Sequence, residues 1–284
     1  MLRLRAPAKI NLTLEVLGKR PDGYHEIRSI IQAIALYDTL SIELASGLEV
    51  EPQTVAGEEN IVTKAARLLR DATGTRLGAR LHLKKKIPVR MGLGGGSSDA
   101  AATLIGLNHL WGLGLSREQL LPVARDLGSD VPFFLYGGTA LVEGKGESVT
   151  PLPGPPRQRV VLLCPALPTP DGKTRRLYQA LSRESFTRGQ HTLKARKALL
   201  ERDGVEPFNA FETVAFSFFP GLEEQRRRFL ASGATAVHLT GSGPALFTLT
   251  RDGDLARGIH DSLKSQGAEV CLVSTLRGTI DQPV

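Results

Sequence analysis

The run Gly92-Leu93-Gly94-Gly95-Gly96-Ser97-Ser98 empties directly into an apolar stripe at Ala100, Ala101, Leu104, Leu107 and Leu110, a spacing that predicts a helix. Glycines at these positions let backbone N–H groups approach an anion closely, and the helix N-terminus adds partial positive charge, so the expected ligand is a phosphate. Glycine-rich turns also arise for steric reasons alone, and the run by itself leaves that alternative open. Two common phosphate loops are excluded by the letters. A Walker A loop requires a lysine after the last glycine, and none follows. A dinucleotide fingerprint started at Gly92 puts Ser97 at its third glycine position, and one started at Gly94 puts Asp99 there.

A chain of 284 residues exceeds the usual single-core size, which predicts two lobes with a cleft between them. The best candidate boundary is Pro151-Leu152-Pro153-Gly154-Pro155-Pro156, dividing the chain into residues 1–156 and 157–284. The formal net charge of +7 and pI of about 9.6 suit nucleic acid, membrane or phosphorylated ligands. The basic residues are dispersed among Lys84-Lys85-Lys86, Arg226-Arg227-Arg228 and the stretch Arg188–Arg202, with no recognisable nucleic-acid module. The expected partner is a small molecule, without nucleic acid or membrane, for a monomer or homodimer. No long apolar run marks a leader or a membrane span, so a cytoplasmic protein is expected. Cys164 and Cys271 are the only cysteines, which argues against both a disulfide framework and a thiolate metal site.

Along the chain, Ala8–Leu17 alternates Ile10, Leu12, Leu14 and Val16 with Lys9, Asn11, Thr13 and Glu15, predicting a strand with one polar face. A turn-rich stretch, Lys19–Gly23, precedes a β-rich region over Ile27–Leu44. Asn60–Thr73 has helical spacing and stops at Gly74; Arg80–Lys84 reads as a strand; Ser116 and Gln119 form a capping box for a helix ending near Gly128. Asp130 then lies just past a helix end. The second half alternates predicted strands (Arg159–Cys164, Ala234–Leu239, Ala245–Thr250, Val270–Ser274) with helices near Leu222–Ala231 and Asp254–Gln266, an α+β pattern.

The segment Pro88-Val89-Arg90-Met91-Gly92-Leu93-Gly94-Gly95-Gly96-Ser97-Ser98-Asp99-Ala100-Ala101 resembles the second motif of the galactokinase, homoserine kinase, mevalonate kinase and phosphomevalonate kinase superfamily. Pro7-Ala8-Lys9-Ile10-Asn11-Leu12 with Asp22-Gly23-Tyr24-His25, then Gly128-Ser129-Asp130-Val131-Pro132, Asn209-Ala210-Phe211-Glu212 and Thr240-Gly241-Ser242-Gly243-Pro244-Ala245, are similar in order and spacing to the branch of that superfamily acting on a diphosphocytidyl polyol of isoprenoid precursor synthesis. One departure is Arg90-Met91, where some relatives continue the glycine run.

The resemblance implies a two-lobed α+β kinase fold with its active site in the cleft, ATP with Mg2+ as cofactors, and transfer of the γ-phosphate to the polyol. It implies that Pro88 to Ser98 bind the nucleotide, with Ser97 or Ser98 the candidate contact to the metal. Asp130 is implied as the group that accepts or orients the hydroxyl proton; its bland alternative is a turn aspartate capping the next segment. Lys9 is implied as the cation facing it, against the alternative of a solvated strand lysine. Asn11, Tyr24, His25, Tyr178, Gly241 and Ser242 are implied at the substrate, with the two tyrosines stacking on a base whose edge His25 reads; Tyr178 rests on the weaker match of Thr174-x-x-x-Tyr178. A homoserine- or mevalonate-type kinase is the nearest alternative, and Tyr24-His25 argues against it. A basic nucleotide- or RNA-binding module without turnover is the remaining one. Residues 182–207 match no motif.

Overall fold

The computed structural model describes residues 1–52 and 60–278. The alternating N-terminal segment forms one long strand, β1 (Leu2–Lys19), which returns antiparallel as β2 (His25–Ala45). The pair is longer than its sequence pattern because β2 takes two partners along its other edge. Its first half pairs with β5 (Thr139–Gly144) and its second with β4 (Gly78–Lys84). β3 (Leu48–Glu51) adds parallel to β4, and β6 (Ser148–Leu152) pairs with β5. The register of β1 on β2 shifts at Pro7/Ala8, Asn11/Thr13 and Val16/Gly18, so the β1 backbone bends on both sides of Lys9 and Asn11.

Helices α1 (Ile61–Thr73), α2 (Gly95–Leu110), α3 (Arg117–Leu127) and α4 (Val131–Tyr136) pack on this sheet. Asn60 caps α1 through Val62 N–H, and Ser116 and Gln119 cap α3 reciprocally, as their sequence signatures predict. α2 lies close against the sheet because its facing residues are small: a Cβ on Gly106 would sit 2.4 Å from Ile42 Cδ1. That close approach fixes where the N-terminus of α2 points.

The chain then builds a second sheet, in the order β11 (Val270–Ser274), β7 (Arg159–Leu163), β10 (Leu246–Thr250), β9 (His238–Leu239), all antiparallel. With it run α5 (Lys173–Ala180), α6 (Gln190–Leu200), α7 (Glu212–Phe218), α8 (Leu222–Ala231) and α9 (Gly253–Ser265). The predicted strand at Ala234–Leu239 shortens to β9, because β10 offers it only Leu246 and Phe247 and the Leu239 N–H is already shared with the Glu212 carboxylate, 2.7 Å away. A short strand, β8 (Phe208–Asn209), leaves the second half to pair parallel with β1 at Thr13 and Leu14. Ala8, Ile10 and Leu12 of β1 share a core with Val160, Leu162 and Phe247 of the second sheet.

The polar face of β1 is not solvated. Lys9, Asn11, Thr13 and Glu15 are all buried. Asn11 donates to Ser29 Oγ at 2.9 Å, Thr13 and Thr192 share a hydroxyl bond at 2.9 Å, and the Glu15 carboxylate accepts the N–H groups of His191 and Thr192 at the start of α6. Part of the otherwise unmatched basic stretch, residues 182–207, thus covers this strand.

Candidate active site

Three segments far apart in sequence close around Gly92. The Lys9 N–H donates to Leu93 O at 3.0 Å, the Ala245 N–H to Met91 O at 3.3 Å, and Thr240 Oγ1 to Gly92 O at 3.4 Å. Asn11 N–H reaches Thr240 Oγ1 at 3.3 Å. Gly92 has φ +80°, and a Cβ there would lie 2.3 Å from Thr240 O, so a side chain is excluded both by conformation and by contact. Gly94, at φ +70°, precedes the first turn of α2 and packs against the Phe134 ring and the Lys9 stem. Arg90 has φ +63° without being glycine, a left-handed conformation that glycine adopts without strain. Its guanidinium donates to Asp171 Oδ1 at 2.7 Å and Pro170 O at 3.0 Å.

Lys9 is 3% exposed, and its ammonium donates to Asn11 Oδ1 at 2.6 Å and stands 3.9 Å from Asp130 Oδ2. Burial draws its pKa below the ordinary lysine value, and the Asp130 carboxylate acts in the opposite direction. Asp130 precedes α4, with Pro132 in the first turn, and its side chain makes no capping bond to that helix. The turn-aspartate alternative therefore does not describe its contacts; the carboxylate faces Lys9 instead.

Farther along the cleft, the His25 and Tyr178 rings stack at 4.7 Å with planes 16° apart, and Phe211 meets Tyr178 edge-on at 4.8 Å. Tyr24 is 57% exposed and carries Lys145 Nζ over its ring at 4.7 Å. The nearest ring to Tyr178 is that of His25, and their stacking removes apolar surface from water. Burial, with Lys19 adding to it, lowers the pKa of His25 and so disfavours its charged form. The Tyr178 phenol is pushed up by burial and by Asp130, which ties the aromatic end to the carboxylate.

Beside the glycine loop, Lys85 Nζ bridges Asp38 Oδ2 at 2.5 Å and Asp99 Oδ2 at 2.6 Å. Burial, reinforced by the like charge of Asp38, pushes the Asp99 carboxyl up to about 7 despite Lys85, while the two carboxylates keep the Lys85 ammonium protonated. A carboxyl raised above its unfolded value contributes stability at low pH and loses it as pH climbs from about 4 through about 7. Thermal unfolding should accordingly show Asp99→Asn gaining on the parent protein between pH 5 and pH 8, by about 2–3 kcal/mol at most. A constant difference across that range would assign the proton elsewhere.

The glycine loop, Lys9, Asp130, the His25–Tyr178 pair, Tyr24 and Lys85 line one cleft of about 1320 Å³. Of the residues expected at the site, Lys9, Asn11, Tyr24, His25, Pro88 to Ser97, Asp130, Tyr178, Gly241 and Ser242 line it. Ser98 does not. It is fully buried, with its N–H closing the first turn onto Gly94 O at 2.9 Å and its hydroxyl unpartnered within the protein. Lys85, Lys145, Lys173 and Arg183 also line the cleft without having been singled out for it. Lys85 had a signal only as part of a basic cluster, and Arg183 lies in the unmatched basic stretch. The Arg226–Arg228 cluster is elsewhere on α8, where Arg226 and Arg227 pair with Glu223 and Glu224 and Arg228 donates to Gln225 and Gln266.

Comparison with known proteins shows the family. Residues 60–138 match the GHMP kinases N terminal domain and residues 182–269 the GHMP kinases C terminal model. The chain is 46% identical over 285 residues to a 4-diphosphocytidyl-2-C-methyl-D-erythritol kinase of Dehalococcoides mccartyi, covering 99% of this chain and 100% of that protein. It is 40% identical over 276 residues to the kinase of the same name from Pelotomaculum thermopropionicum, covering 95% and 96%. A crystal structure of 4-(cytidine 5'-diphospho)-2C-methyl-D-erythritol kinase superposes with a TM-score of 0.83 at 37% identity, covering 96% of this chain and 98% of that one.

Proposed function

The chain belongs to the GHMP kinases, in the family of 4-diphosphocytidyl-2-C-methyl-D-erythritol kinases, and we infer that it phosphorylates the 2-hydroxyl of 4-diphosphocytidyl-2-C-methyl-D-erythritol with ATP, releasing ADP, in isoprenoid precursor synthesis. The observation that carries the reading is the meeting of Lys9, the glycine loop, Asp130 and the Thr240–Gly243 turn in one cleft with the His25–Tyr178 pair.

Phosphoryl transfer passes through a loose transition state, so the protein contributes mainly position and charge. In this reading the backbone from Gly92 to Ser97, at the N-terminus of α2, receives the nucleotide phosphates. The residues also fit a magnesium-nucleotide: Ser97 faces the cleft, and the buried Ser98 hydroxyl retains bonding capacity next to it. Bound magnesium would neutralise charge on the phosphates. Asp130 orients the acceptor hydroxyl and takes its proton, and Lys9, 3.9 Å from that carboxylate, faces the charge on the transferred group. Tyr24, His25 and Tyr178 hold the base, and Asn11, Gly241 and Ser242 border the polyol. The reading includes a cytoplasmic enzyme acting as a monomer or homodimer, without nucleic acid.

The test is ADP release with magnesium-ATP and, separately, the diphosphocytidyl polyol, homoserine and mevalonate. Turnover is expected with the first alone, and Asp130→Asn should lower its kcat by about 10²–10⁴-fold. Turnover of homoserine alone would overturn the acceptor assignment. No turnover at all, with strongly salt-dependent RNA binding, would favour a binding module.

A further inference from the structure

Lys173 opens α5 and is 8% exposed, yet it lines the cleft. Its ammonium donates to the carbonyl of Gly243 in the third-motif turn. Among the described residues it has no carboxylate within ion-pair distance, and the charges acting on it are the cations Lys9 and Arg90. Burial and these two neighbours draw its pKa down to about 7. One carbonyl engages one of the three ammonium donors, leaving two for another acceptor. A buried cation bonded only to a neutral group is costly unless an anion joins it.

The surrounding charge points the same way. Lys9, Arg90 and Lys173 converge on this wall against Asp130 and the fully exposed Asp171. The wall is braced at both ends. Arg90 holds the 170–171 backbone and side chain, and the Thr174 hydroxyl bonds that of Ser242 at 2.9 Å. Lys173 is thus fixed to the glycine loop on one side and to the third-motif turn on the other.

We propose that Lys173 is a phosphate-binding residue of the cleft, its free ammonium donors taking oxygens of a phosphoanion opposite the N-terminus of α2. The proposal deepens the kinase reading and rests on it for the identity of the ligands. Two phosphoanions come within its range: those of the nucleotide, beside the glycine loop, and the diphosphate of the acceptor. The second is in range because Tyr178 follows on the same helix, five residues and about 7.5 Å farther along.

Affinities of ADP, CDP and CMP for the full chain, for Lys173→Met and for Lys173→Arg, measured by calorimetry alongside melting temperatures, separate the sources. Lys173→Met should weaken either ADP or CDP by about 10- to 100-fold, with Lys173→Arg restoring part of the loss. Loss for ADP with CDP retained assigns the nucleotide phosphates. Loss for CDP down to the level of CMP, with ADP retained, assigns the acceptor diphosphate. Unchanged affinity for both would overturn the proposal, as would equal losses for all three accompanied by a fall in melting temperature, the signature of a structural latch on Gly243. Binding needs no turnover, so a parent protein that binds ADP and CDP but leaves the diphosphocytidyl polyol unphosphorylated would sink the acceptor assignment alone.

Discussion

Lys9→Met should reduce kcat about 10³-fold while KM for ATP stays within a few-fold and the melting temperature within a few degrees. The kinetic half follows from placement. The ammonium is buried, bonded to Asn11 and 3.9 Å from Asp130, so it acts where the dielectric is low and where charge moves during transfer. An interaction stronger in the transition state than in the ground state appears in kcat. The stability half follows from volume and charge. Methionine replaces the stem that packs against Gly94, and removing a buried cation lifts a desolvation cost that offsets the lost bond to Asn11. Steady-state kinetics with both substrates varied, beside a melting curve, checks both halves. A variant with near-parental kcat would take Lys9 out of the reaction, and one that melts far earlier would make it a structural residue.

The alternation over Ala8–Leu17 reveals Lys9 and Asn11 as neighbours on one strand face, because side-chain period is a local property. It does not reveal that the face is buried. The groups that cover it, the Thr240 turn and the start of α6 at His191 and Thr192, are more than 170 residues away in sequence. Glu15 shows the same limit: as a letter it is a solvated strand residue, and in the fold it accepts the first N–H groups of a helix from the other half. Helices with their own signals, such as the Asn60-capped α1 and the Ser116–Gln119 box of α3, could be read where they stand. The glycine run likewise carries its own evidence of close approach. Lys173 and Lys145 carry none. A lysine in a basic chain is ordinary until its neighbours are known, and those neighbours, Gly243 for one and the Tyr24 ring for the other, are brought by tertiary contacts. Arg90 is intermediate: its departure from glycine is visible, but that it keeps the left-handed conformation, with its side chain anchored on Asp171, is not.

Gly92→Ala should cost more than the loss of one loop contact, because the first and third motifs both bond the Met91–Leu93 backbone. The new Cβ would stand 2.3 Å from Thr240 O and 3.0 Å from Gly243 N, on a backbone at φ +80°. Backbone strain of about 1–3 kcal/mol and overpacking of about 1–3 kcal/mol combine to a fall in melting temperature on the order of 10 °C. Relief of the contact must move either the glycine loop or the Thr240–Gly243 turn, so the phosphate cradle and the turn beside Lys9 lose their mutual register. The kcat/KM for ATP should then drop by at least about 10²-fold, since a displacement of about 1 Å is enough for that. Gly96→Ala is the steric comparison. Its Cβ would meet nothing nearer than Ile61 Cγ2 at 3.9 Å, on helical backbone, so its melting temperature should equal or exceed that of the parent. Equal melting temperatures for all three proteins would mean that the contact between the two loops yields freely. The cradle would then be held by α2 alone, not by the closing of three distant segments around Gly92.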